Sequence, residues 1–380
     1  MDFDYQEEQL ALQQTLDRFI RSEYSFERRR NIIASPDGFS RQVWSKFSHL
    51  GILGIPFSGH LGDIDATAIG TMVVMEILGR GLVVEPYLTT VVLCGGLIRD
   101  AGSVLQRETL LPLVAGGSLL MALGHHEPGT RYELNHVATR ARTEGRGYVI
   151  DGAKSVVLGG DTADKLIVSA RTSGDSRNDL GISLFVVDAT APGVRIHGYP
   201  THDARRAADV ELAAVRVDSD ALVGERDQAL PVIERAVDYS IAALCAEAVG
   251  IMSALNEMTL EYLRVRRQFG QAIGSFQALQ HRVVDMVIAT EQARSMAMLA
   301  AMRADSIDAA KRRFALSAAK AYVGQAARRV GQEAVQLHGG MGVVDELIVS
   351  HYFKRLTMIN ATFGDADHHL GCVSDRLLTA

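Results

Sequence analysis

The stretch GYVIDGAKSVVL, residues 147–158, is the first of several β-strand patterns in a chain that otherwise reads as helical. Its Tyr, Val and Ile residues favour extended backbone. Similar short runs follow it: ADKLIVSAR (163–171), GISLFVVDA (181–189) and ADVELAAVRV (208–217). The polar segment TSGDSRNDLG (172–181) has turn composition, and we expect a flexible loop at Thr172–Asp179. Together these runs predict a β domain in the middle of the chain.

The segments on both sides of this block repeat apolar residues at intervals of three and four, as amphipathic helices do. Examples are EEQLALQQTLDRFIRSEY (7–24) before the block and PVIERAVDYSIAALCAEAVGIMSALNEMTLEYLRV (231–265) after it. Strands gathered in one block, instead of alternating with helices, argue against a parallel βαβ fold. We therefore predict an α+β fold with an N-terminal α-helical domain (1–120), a central β-barrel-like domain (121–225) and a C-terminal α-helical bundle (226–380).

Composition excludes several classes of protein. The 380 residues are 47% hydrophobic and 22% charged, which is typical of a globular protein with two or three packed units. The net charge of −6 lacks the broad basic character of a protein that binds nucleic acid or an anionic membrane. Cys94, Cys245 and Cys372 are widely spaced, so they predict neither a disulfide framework nor a metal site and fit a reducing cytoplasm. The acidic N-terminus is unlike a signal peptide, and no long uncharged apolar run predicts a membrane span.

Two glycine-containing stretches carry candidate binding chemistry. In RRQFGQAIGSFQALQHRVVDM (266–286), Arg266 and Arg267 precede Phe269 and Gly270 at the predicted end of a helix. An arginine beside glycine suits a phosphate, because the guanidinium matches phosphate oxygens and glycine lets the backbone approach. The structural alternative is that the arginines complement the helix dipole. The second stretch, QLHGGMG (336–342), ends another long helix, and its glycines most simply stop that helix.

One carboxylate, Glu247, lies in an otherwise apolar or small-residue segment, IAALCAEAVGIM (241–252). In one interpretation it is a catalytic base, because apolar surroundings suit a carboxylate that takes up protons near neutrality. In the other it is a structural glutamate paired with Arg235 or another cation, because carboxylates are rarely buried without a partner.

These motifs resemble those of the acyl-CoA dehydrogenase family. The patterns RxxFGxxIxxFQxxxH (266–281) and QxxGGxG (336–342) are similar to two of its motifs, Glu127-Pro128 to its Glu-Pro signature, and YVIDGAK (148–154) to its YxLxGxK strand. The resemblance covers essentially the whole chain, including GRGLVVEPY (79–87), and implies the family's C-terminal four-helix bundle. Within the family, the stretches IGSFQALQHR, EQARSMAM, AVQLHGG and HYFKRLTMINATFGDADHHL are most similar to the small subunits of pimeloyl-CoA dehydrogenases.

The resemblance implies an FAD enzyme that introduces an α,β double bond into an acyl-CoA thioester. A carboxylate removes the α-proton, the β-hydride goes to flavin N5, and electron transfer flavoprotein reoxidises the cofactor. It also implies a homo-oligomer or an α2β2 assembly, because the FAD site is shared between subunits. The residues that the resemblance assigns to FAD are Arg266, Phe269, Gln280, Gln336, Gly339 and Gly340.

The positions of the family's catalytic base are altered in this chain. By alignment on the motifs, Gly364 and Ser240 occupy the two usual positions. Glu247 lies seven residues beyond Ser240, almost two helical turns further on roughly the same face, and is the leading candidate for the base. Asp365 and Asp367 are the alternatives.

Other departures concern the flavin surroundings. Val156 and Leu158 stand where many relatives carry a tryptophan or threonine beside the flavin. His126 replaces the threonine before Glu-Pro, where it would contact the flavin or be an ordinary surface or core histidine. The family's PEEYGG segment reads PFSGHLGD (56–63). The adjacent histidines at 368–369 lack the spacing of a metal site, so we assign no metal.

Two hypotheses of function follow from these observations. The chain is an active acyl-CoA dehydrogenase that uses its own Glu247, or it is a mainly structural subunit that lends FAD-contacting residues to a partner. The retained phosphate motifs and Glu247 favour the first hypothesis, whereas the two altered base positions favour the second. An oxidase or monooxygenase on the same fold is a less favoured third.

Overall fold

The computed structural model describes residues 6–57 and 68–379. Most of the PFSGHLGD segment lies outside the described residues. The N-terminal part contains α1 (Glu7–Glu23), α2 (Phe26–Ile33), α3 (Arg41–His49), α4 (Ala68–Arg80), α5 (Gly96–Ala101) and α6 (Val104–Ala115), with a 3₁₀-helix at Ile52–Phe57 and a π-helix at Tyr87–Gly95. The predicted helical character of this part is confirmed.

Local chemistry explains two of these helix starts. Ser40 accepts a hydrogen bond from the Val43 N–H at the start of α3, and Ser103 accepts one from the Gln106 N–H at the start of α6. Each bond satisfies a donor that the helix geometry leaves without a partner. The nine-residue π-helix that follows Pro86 is buried along its whole length. A π-helix of this length is unusual, because most occur as single turns within α-helices.

The central strands form one eight-stranded sheet. They are β1 (Met121–Gly124), β2 (Arg140–Glu144), β3 (Gly147–Leu158), β4 (Lys165–Arg171), β5 (Ile182–Asp188), β6 (Val194–Pro200), β7 (Arg206–Asp218) and β8 (Leu222–Val223). Their order is β6-β7-β3-β2-β4-β5-β8, and β1 pairs with β4 in parallel. Apolar side chains such as Ile150, Leu166 and Phe185 form its core. The strand stretches quoted from the sequence therefore fold as one β domain.

The C-terminal part is again helical, as predicted. It contains α7 (Leu230–Val265), a hairpin of β9 (Arg267–Gln268) and β10 (Gln271–Ala272), a 3₁₀-helix at Ile273–Ser275, α8 (Gln277–Ala304), α9 (Ala309–His338), a 3₁₀-helix at Gly339–Val343, α10 (Ile348–Ala361) and α11 (Ala366–Thr379). Among the described helices α7 alone is long and apolar enough to cross a membrane, but 83% of its apolar window is buried within the protein, as in a core helix.

Helices α4 and α7 cross with their backbones in contact. A Cβ atom at Gly79 would collide with the carbonyl oxygen of Glu247, and one at Gly250 would collide with that of Glu76. Glycine is therefore required on both helices at this crossing.

Packing divides the chain into two compact units. One comprises residues 1–31, 68–83 and 241–380, and the other comprises residues 32–67 and 84–240. The N-terminal helices are thus distributed over both units. The domain boundaries at 120 and 225 remain predictions from the sequence.

The segment Thr172–Asp179, expected to be a flexible loop, is anchored by a buried arginine. Arg171 is 2% exposed, and its guanidinium donates to five carbonyl oxygens, those of Asn135, Val137, Ser176, Asn178 and Leu180. Asp227 accepts hydrogen bonds from the hydroxyls of Thr172 and Ser173 at 2.6 and 2.8 Å. The composition of this segment predicted a flexible loop and did not reveal these contacts.

Candidate FAD site and candidate base

The Glu-Pro and YVIDGAK motifs meet in a buried ion pair. The Lys154 Nζ donates to Glu127 Oε1 at 2.6 Å and to Ser169 Oγ at 3.1 Å. The two Glu127 oxygens also accept from the backbone N–H groups of Ala138 and Thr139, at 2.7 and 3.0 Å. These bonds tie the segment after β1 to strand β3, and the pair is structural since all its charges are occupied.

Burial and the ion pair shift the pKa values of Glu127 and Lys154. Burial works to raise the pKa of Glu127, but the Lys154 ammonium and the Thr139 N–H outweigh it, and the pKa is lowered. Burial lowers the pKa of Lys154 to about 8, against the attraction of Glu127. Both groups are therefore charged at neutral pH.

The two histidines before Glu127 differ in exposure. His125 is buried, its Nδ1 lies 2.9 Å from Ser169 Oγ, and burial followed by the charge of Lys154 lowers its pKa to about 3. His126, the candidate flavin contact, is exposed, and burial of part of its ring and then Lys154 lower its pKa. His126 is thus a neutral, accessible imidazole near neutral pH.

Strand β3 is distorted where relatives place residues beside the flavin. Its pairing with β7 shifts register between Lys154 and Val157, and Val156 adopts a φ of +52°. A β-branched residue in this region is strained. Even so, Val156 leaves 46% of its surface exposed. The strand therefore presents an apolar side chain on a strained backbone.

The predicted phosphate motif after α7 is a tight hairpin. Gln268 pairs with Gln271, so Phe269 and Gly270 form a two-residue loop, with φ values of +54° and +81°. This is the pattern of a type I′ turn, in which Asn or Gly is preferred at the first position. Phe269 is 90% exposed there, and Arg266, which precedes the hairpin, is exposed as well.

The second motif ends α9 next to the end of α7. The Tyr262 ring in the last turns of α7 stacks on the His338 ring at a centroid distance of 4.5 Å. Gly339 follows with a φ of +61° and a ψ of −141°, which side-chain-bearing residues rarely adopt. At Gly339 and Gly340 no described atom lies within 4 Å of where a Cβ would be, so both backbones face open space. The structure thus brings the two predicted motifs together within one unit.

Two exposed glutamines complete this group. Gln336 lies in the last turn of α9, and Gln280 in the first turn of α8 donates to the Gly274 carbonyl at 2.9 Å. An exposed guanidinium, an exposed aromatic ring, accessible glycine backbone and two amides form a donor set that suits a diphosphate next to a planar base. In their chemistry, these residues match the role that the resemblance assigns to them, at the phosphate and adenine portion of FAD.

Glu247 is held by a partner that the sequence analysis did not name. Arg355 on α10 donates from Nε to Oε1 at 2.7 Å and from Nη2 to Oε2 at 2.6 Å. The side chains of Glu247 and Arg355 are 1% and 6% exposed. Arg235, the suggested partner, instead pairs with Asp100. These contacts favour the structural interpretation of Glu247 over that of a base, because both carboxylate oxygens are engaged.

The other candidate base positions lie at the turn between α10 and α11. A Cβ at Gly364, which has a φ of +109°, would lie 2.6 Å from atoms of the His368 and His369 rings. The Asp365 carboxylate accepts from the His368 N–H at 2.9 Å, as at a helix start, and Asp367 is exposed on α11. Ser240, at the other usual position, is buried and donates to the Ala236 carbonyl at 2.8 Å.

A buried lysine fixes this turn. Lys320 of α9 donates to the carbonyls of Asn360 and Gly364 at 2.9 and 2.6 Å, and burial lowers its pKa to about 8. His369 contributes a contact of 3.0 Å to the Phe363 carbonyl. The sequence analysis missed Lys320, although ALSAAKAYVG (315–324) carries the signal that singled out Glu247, one charge among small and apolar residues.

The sequence assigned no metal to the adjacent histidines at 368–369. Among residues 6–57 and 68–379, no group of three or more His, Cys, Asp or Glu side chains is arranged to hold a metal ion. The Nδ1 of His369 contacts Ser317 and its Nε2 contacts a backbone carbonyl.

Comparison with known proteins agrees with the fold and its motifs. The sequence matches profiles described as the N-terminal, middle and C-terminal domains of acyl-CoA dehydrogenase, at residues 6–118, 122–217 and 230–378. It is 28% identical over 385 residues to a probable acyl-CoA dehydrogenase, YngJ, of Bacillus subtilis, with 100% of both chains covered. It is 29% identical to the acyl-CoA dehydrogenase FadE27 of Mycobacterium tuberculosis, with 99% of both chains covered.

A solved structure agrees as well. The crystal structure of the ChsE4-ChsE5 complex from Mycobacterium tuberculosis superposes with a TM-score of 0.88 and 26% identity over 100% of both chains. The three matched domains follow in the order that the fold shows, and together they span nearly all of the sequence. This chain belongs to the acyl-CoA dehydrogenase family of FAD-dependent oxidoreductases.

Proposed function

We propose that this chain is one member of a two-chain acyl-CoA dehydrogenase, to which it contributes FAD-binding residues but no catalytic base of its own. The reaction is α,β-dehydrogenation of an acyl-CoA thioester. The observation that carries the proposal is the bidentate, buried ion pair of Glu247 with Arg355.

The reaction takes a proton from Cα and a hydride from Cβ of the acyl group. FAD, when bound, is the hydride acceptor. The base that removes the Cα proton must lie close to Cα. Its oxygen has to be about 2.6–3.2 Å from the atom that carries the proton, or reach it through one water. Glu247 is 1% exposed and gives both oxygens to Arg355, and Gly364 and Ser240 carry no carboxylate. We therefore assign proton removal to a carboxylate of the second chain.

The FAD contribution rests on the group at the ends of α7 and α9. The Arg266 guanidinium and the open backbone at Gly339 and Gly340 would hold the diphosphate. The exposed Phe269 ring would pack against the adenine. The Phe269 ring meets the Phe276 ring edge-on at a centroid distance of 6.1 Å, yet it remains 90% exposed on a strained backbone, which supports a contact with a ligand or partner.

The assembly and the electron acceptor are part of the same proposal. The structural relative ChsE4-ChsE5 is a complex of two chains, which supports an α2β2 arrangement over a homo-oligomer. Electron transfer flavoprotein is the proposed acceptor and the cytoplasm the proposed location. The resemblance to pimeloyl-CoA dehydrogenase small subunits makes a dicarboxyl acyl-CoA the first substrate to assay, followed by straight, branched and steroid-derived acyl groups.

A second candidate is a chain that is active alone, with Glu247 released from Arg355 as the substrate binds. The presence of a carboxylate, Glu247, on the same helix as Ser240, one of the two usual base positions, favours it.

The test is to purify the chain alone, record its visible spectrum and add a panel of acyl-CoA thioesters anaerobically. We expect no bleaching of flavin absorbance by the chain alone, and bleaching once the chain is assembled with an acyl-CoA dehydrogenase chain that has a glutamate at a usual base position. A yellow chain that is bleached alone, and that loses bleaching in the Glu247→Gln variant, would overturn the proposal in favour of the second candidate. Rapid reoxidation of the assembled protein by oxygen, without electron transfer flavoprotein, would indicate an oxidase instead.

A further inference from the structure

Two β-bulges in strands β3 and β7 are built in the same way. At the first, Ala214 of β7 has a φ of +51°, and its N–H donates to Asp151 Oδ1 at 2.7 Å. At the second, Val156 of β3 has a φ of +52°, and its N–H donates to Asp209 Oδ1 at 3.1 Å. In each case a carboxylate on the paired strand satisfies the N–H that the register shift leaves without a ladder partner.

The bulges differ in the residue that they present. The first presents an alanine, whereas the second presents a valine that is 46% exposed. Alanine tolerates a left-handed backbone with less strain than a β-branched residue does. The second bulge therefore carries more strain and leaves an apolar surface in solvent.

At the second bulge, Asp209 also accepts a hydrogen bond from a neighbouring strand. The Tyr199 hydroxyl on β6 donates to the same Asp209 Oδ1 at 3.1 Å, so one carboxylate links β6, β7 and the displaced residue of β3. Burial and then the carboxylate raise the pKa of Tyr199, so its hydroxyl keeps its proton and remains a donor. Asp209 thus fixes the bulge from two sides.

We propose that Asp209 is a positioning residue for FAD, which holds Val156 in its left-handed conformation so that this residue presents its side chain to the flavin. The proposal rests on the proposed function, because the place of Val156 beside the flavin comes from the resemblance of the YVIDGAKSVV segment (148–157) to the family. The strain at Val156 is the independent observation, since strain of this kind persists where the surrounding structure enforces it for function.

Removal of the Asp209 acceptor should let Val156 relax to an ordinary extended conformation. Because a one-residue change of register in a strand moves side chains to the opposite face, the valine would then leave its place. Asparagine at position 209 keeps an acceptor oxygen, so Asp209→Asn should retain the bulge.

The experiment uses the assembled protein after removal of FAD and measures rebinding by flavin fluorescence together with the visible spectrum of the bound flavin. We expect Asp209→Ala to weaken FAD binding about tenfold and to shift the flavin absorbance bands, and Asp209→Asn to do neither. Asp151→Ala is the matched control, because it removes the same kind of contact at the alanine bulge and should leave FAD binding unchanged. Equal effects of Asp209→Ala and Asp151→Ala, or an unchanged affinity in Asp209→Ala, would refute the role of Asp209.

A further variant separates positioning from folding. Glycine adopts a positive φ without help. Val156→Gly should therefore weaken FAD binding through loss of the side chain, and adding Asp209→Ala to it should cost no further affinity. An additional loss of affinity in the double variant would contradict the proposal, and the double variant carries the test if Asp209→Ala alone does not fold. If the unaltered assembly binds no FAD at all, the proposed function fails, which is a different outcome from equal binding by all variants.

Discussion

At the scale of single residues, three buried charges, those of Glu247, Glu127 and Lys320, are satisfied in pairs or by backbone. Glu247 has Arg355, Glu127 has Lys154, and Lys320 has two carbonyl groups. Burial of a charge is costly unless hydrogen bonds compensate for it, and each of these groups is compensated within its own unit. The pairs therefore fix helix and strand positions.

The pair of Glu247 and Arg355 gives a prediction about stability. Glu247→Gln should remove the negative charge that pairs with the buried Arg355 guanidinium and lower the free energy of unfolding by about 3–5 kcal/mol. Arg355→Met should have a similar effect, and the double variant should lose less than the sum of the two. Urea unfolding followed by circular dichroism measures all three.

The exposed pair of Asp285 and Arg329 is the control for that cycle. Its side chains are 55% and 56% exposed, so Asp285→Asn should change stability by less than about 1 kcal/mol. A Glu247→Gln variant that is as stable as the unaltered chain but loses bleaching by substrate in the chain alone would restore Glu247 as the base.

Buried neutral histidines give a prediction about acid. Burial, followed by the charge of Lys320, lowers the pKa of His369 to about 4, against an ordinary value of 6.5. Between these two values the unfolded chain binds a proton that the folded chain does not, so stability must fall as pH decreases from 6.5 to 4. This group contributes a loss on the order of 3 kcal/mol.

The measurement is the urea midpoint at several pH values from 7 to 4 in the unaltered chain and in His369→Gln. The variant should be less stable at pH 7, because it loses contacts to Ser317 and Phe363, but its stability should depend less on pH. His202→Gln, at an exposed position, is the control and should follow the unaltered chain. Parallel pH profiles for the unaltered chain and His369→Gln would contradict the assignment.

At the scale of elements, local sequence preference and observed conformation disagree at the hairpin of β9 and β10. A two-residue type I′ loop favours Asn-Gly, yet this one has Phe269 and Gly270. The strands pair Gln268 with Gln271 and Arg267 with Ala272, and the Phe269 ring at the tip contacts the Phe276 ring edge-on. Natural sequences that depart from local preference generally do so at functional positions.

Phe269→Asn tests this disagreement. Asparagine adopts a positive φ more readily than phenylalanine, so thermal stability should be unchanged or slightly increased, by less than about 1 kcal/mol. FAD retention by the assembled protein should fall, because the exposed ring is lost. Stability is measured by calorimetry and FAD content by absorbance after dialysis. Full flavin occupancy in Phe269→Asn would remove Phe269 from the cofactor site.

The long-range contacts of Glu247 and Lys320 show why the candidate base was harder to predict than the fold. Helices, strands and their order follow from periodicity, which averages over many residues. The partner of Glu247 is 108 residues away in sequence, and no local pattern links it to Arg355. The same holds for Lys320, whose acceptors lie 40 and 44 residues away. Long-range polar contacts are set by packing, so a sequence read in windows finds the charged residue but not its partner.

At the scale of the whole molecule, the order of helices, strands and helices was predictable because the eight strands of the large sheet lie between residues 121 and 223, with long helices before and after them. The grouping of that order into two compact units was not, since it depends on which helices share a core. The phosphate motifs were predicted as separate stretches, and the stacking of Tyr262 on His338 shows that the end of α7 lies against the end of α9. The family resemblance predicted the FAD cofactor. The ion pair of Glu247 with Arg355 then made Glu247 a poorer candidate for the base.

The five hydrogen bonds of the buried Arg171 guanidinium affect where proteases can cleave this protein. Trypsin-like enzymes must draw a basic side chain into a specificity pocket, and Arg171 gives its guanidinium to five carbonyl groups of its own chain. Arg177, six residues further along, is 66% exposed by its side chain. A limited digest that cuts after Arg177 and not after Arg171 would show that the hydrogen bonds of Arg171 are intact. Later cleavage after Arg171 would show that this part of the β domain has opened.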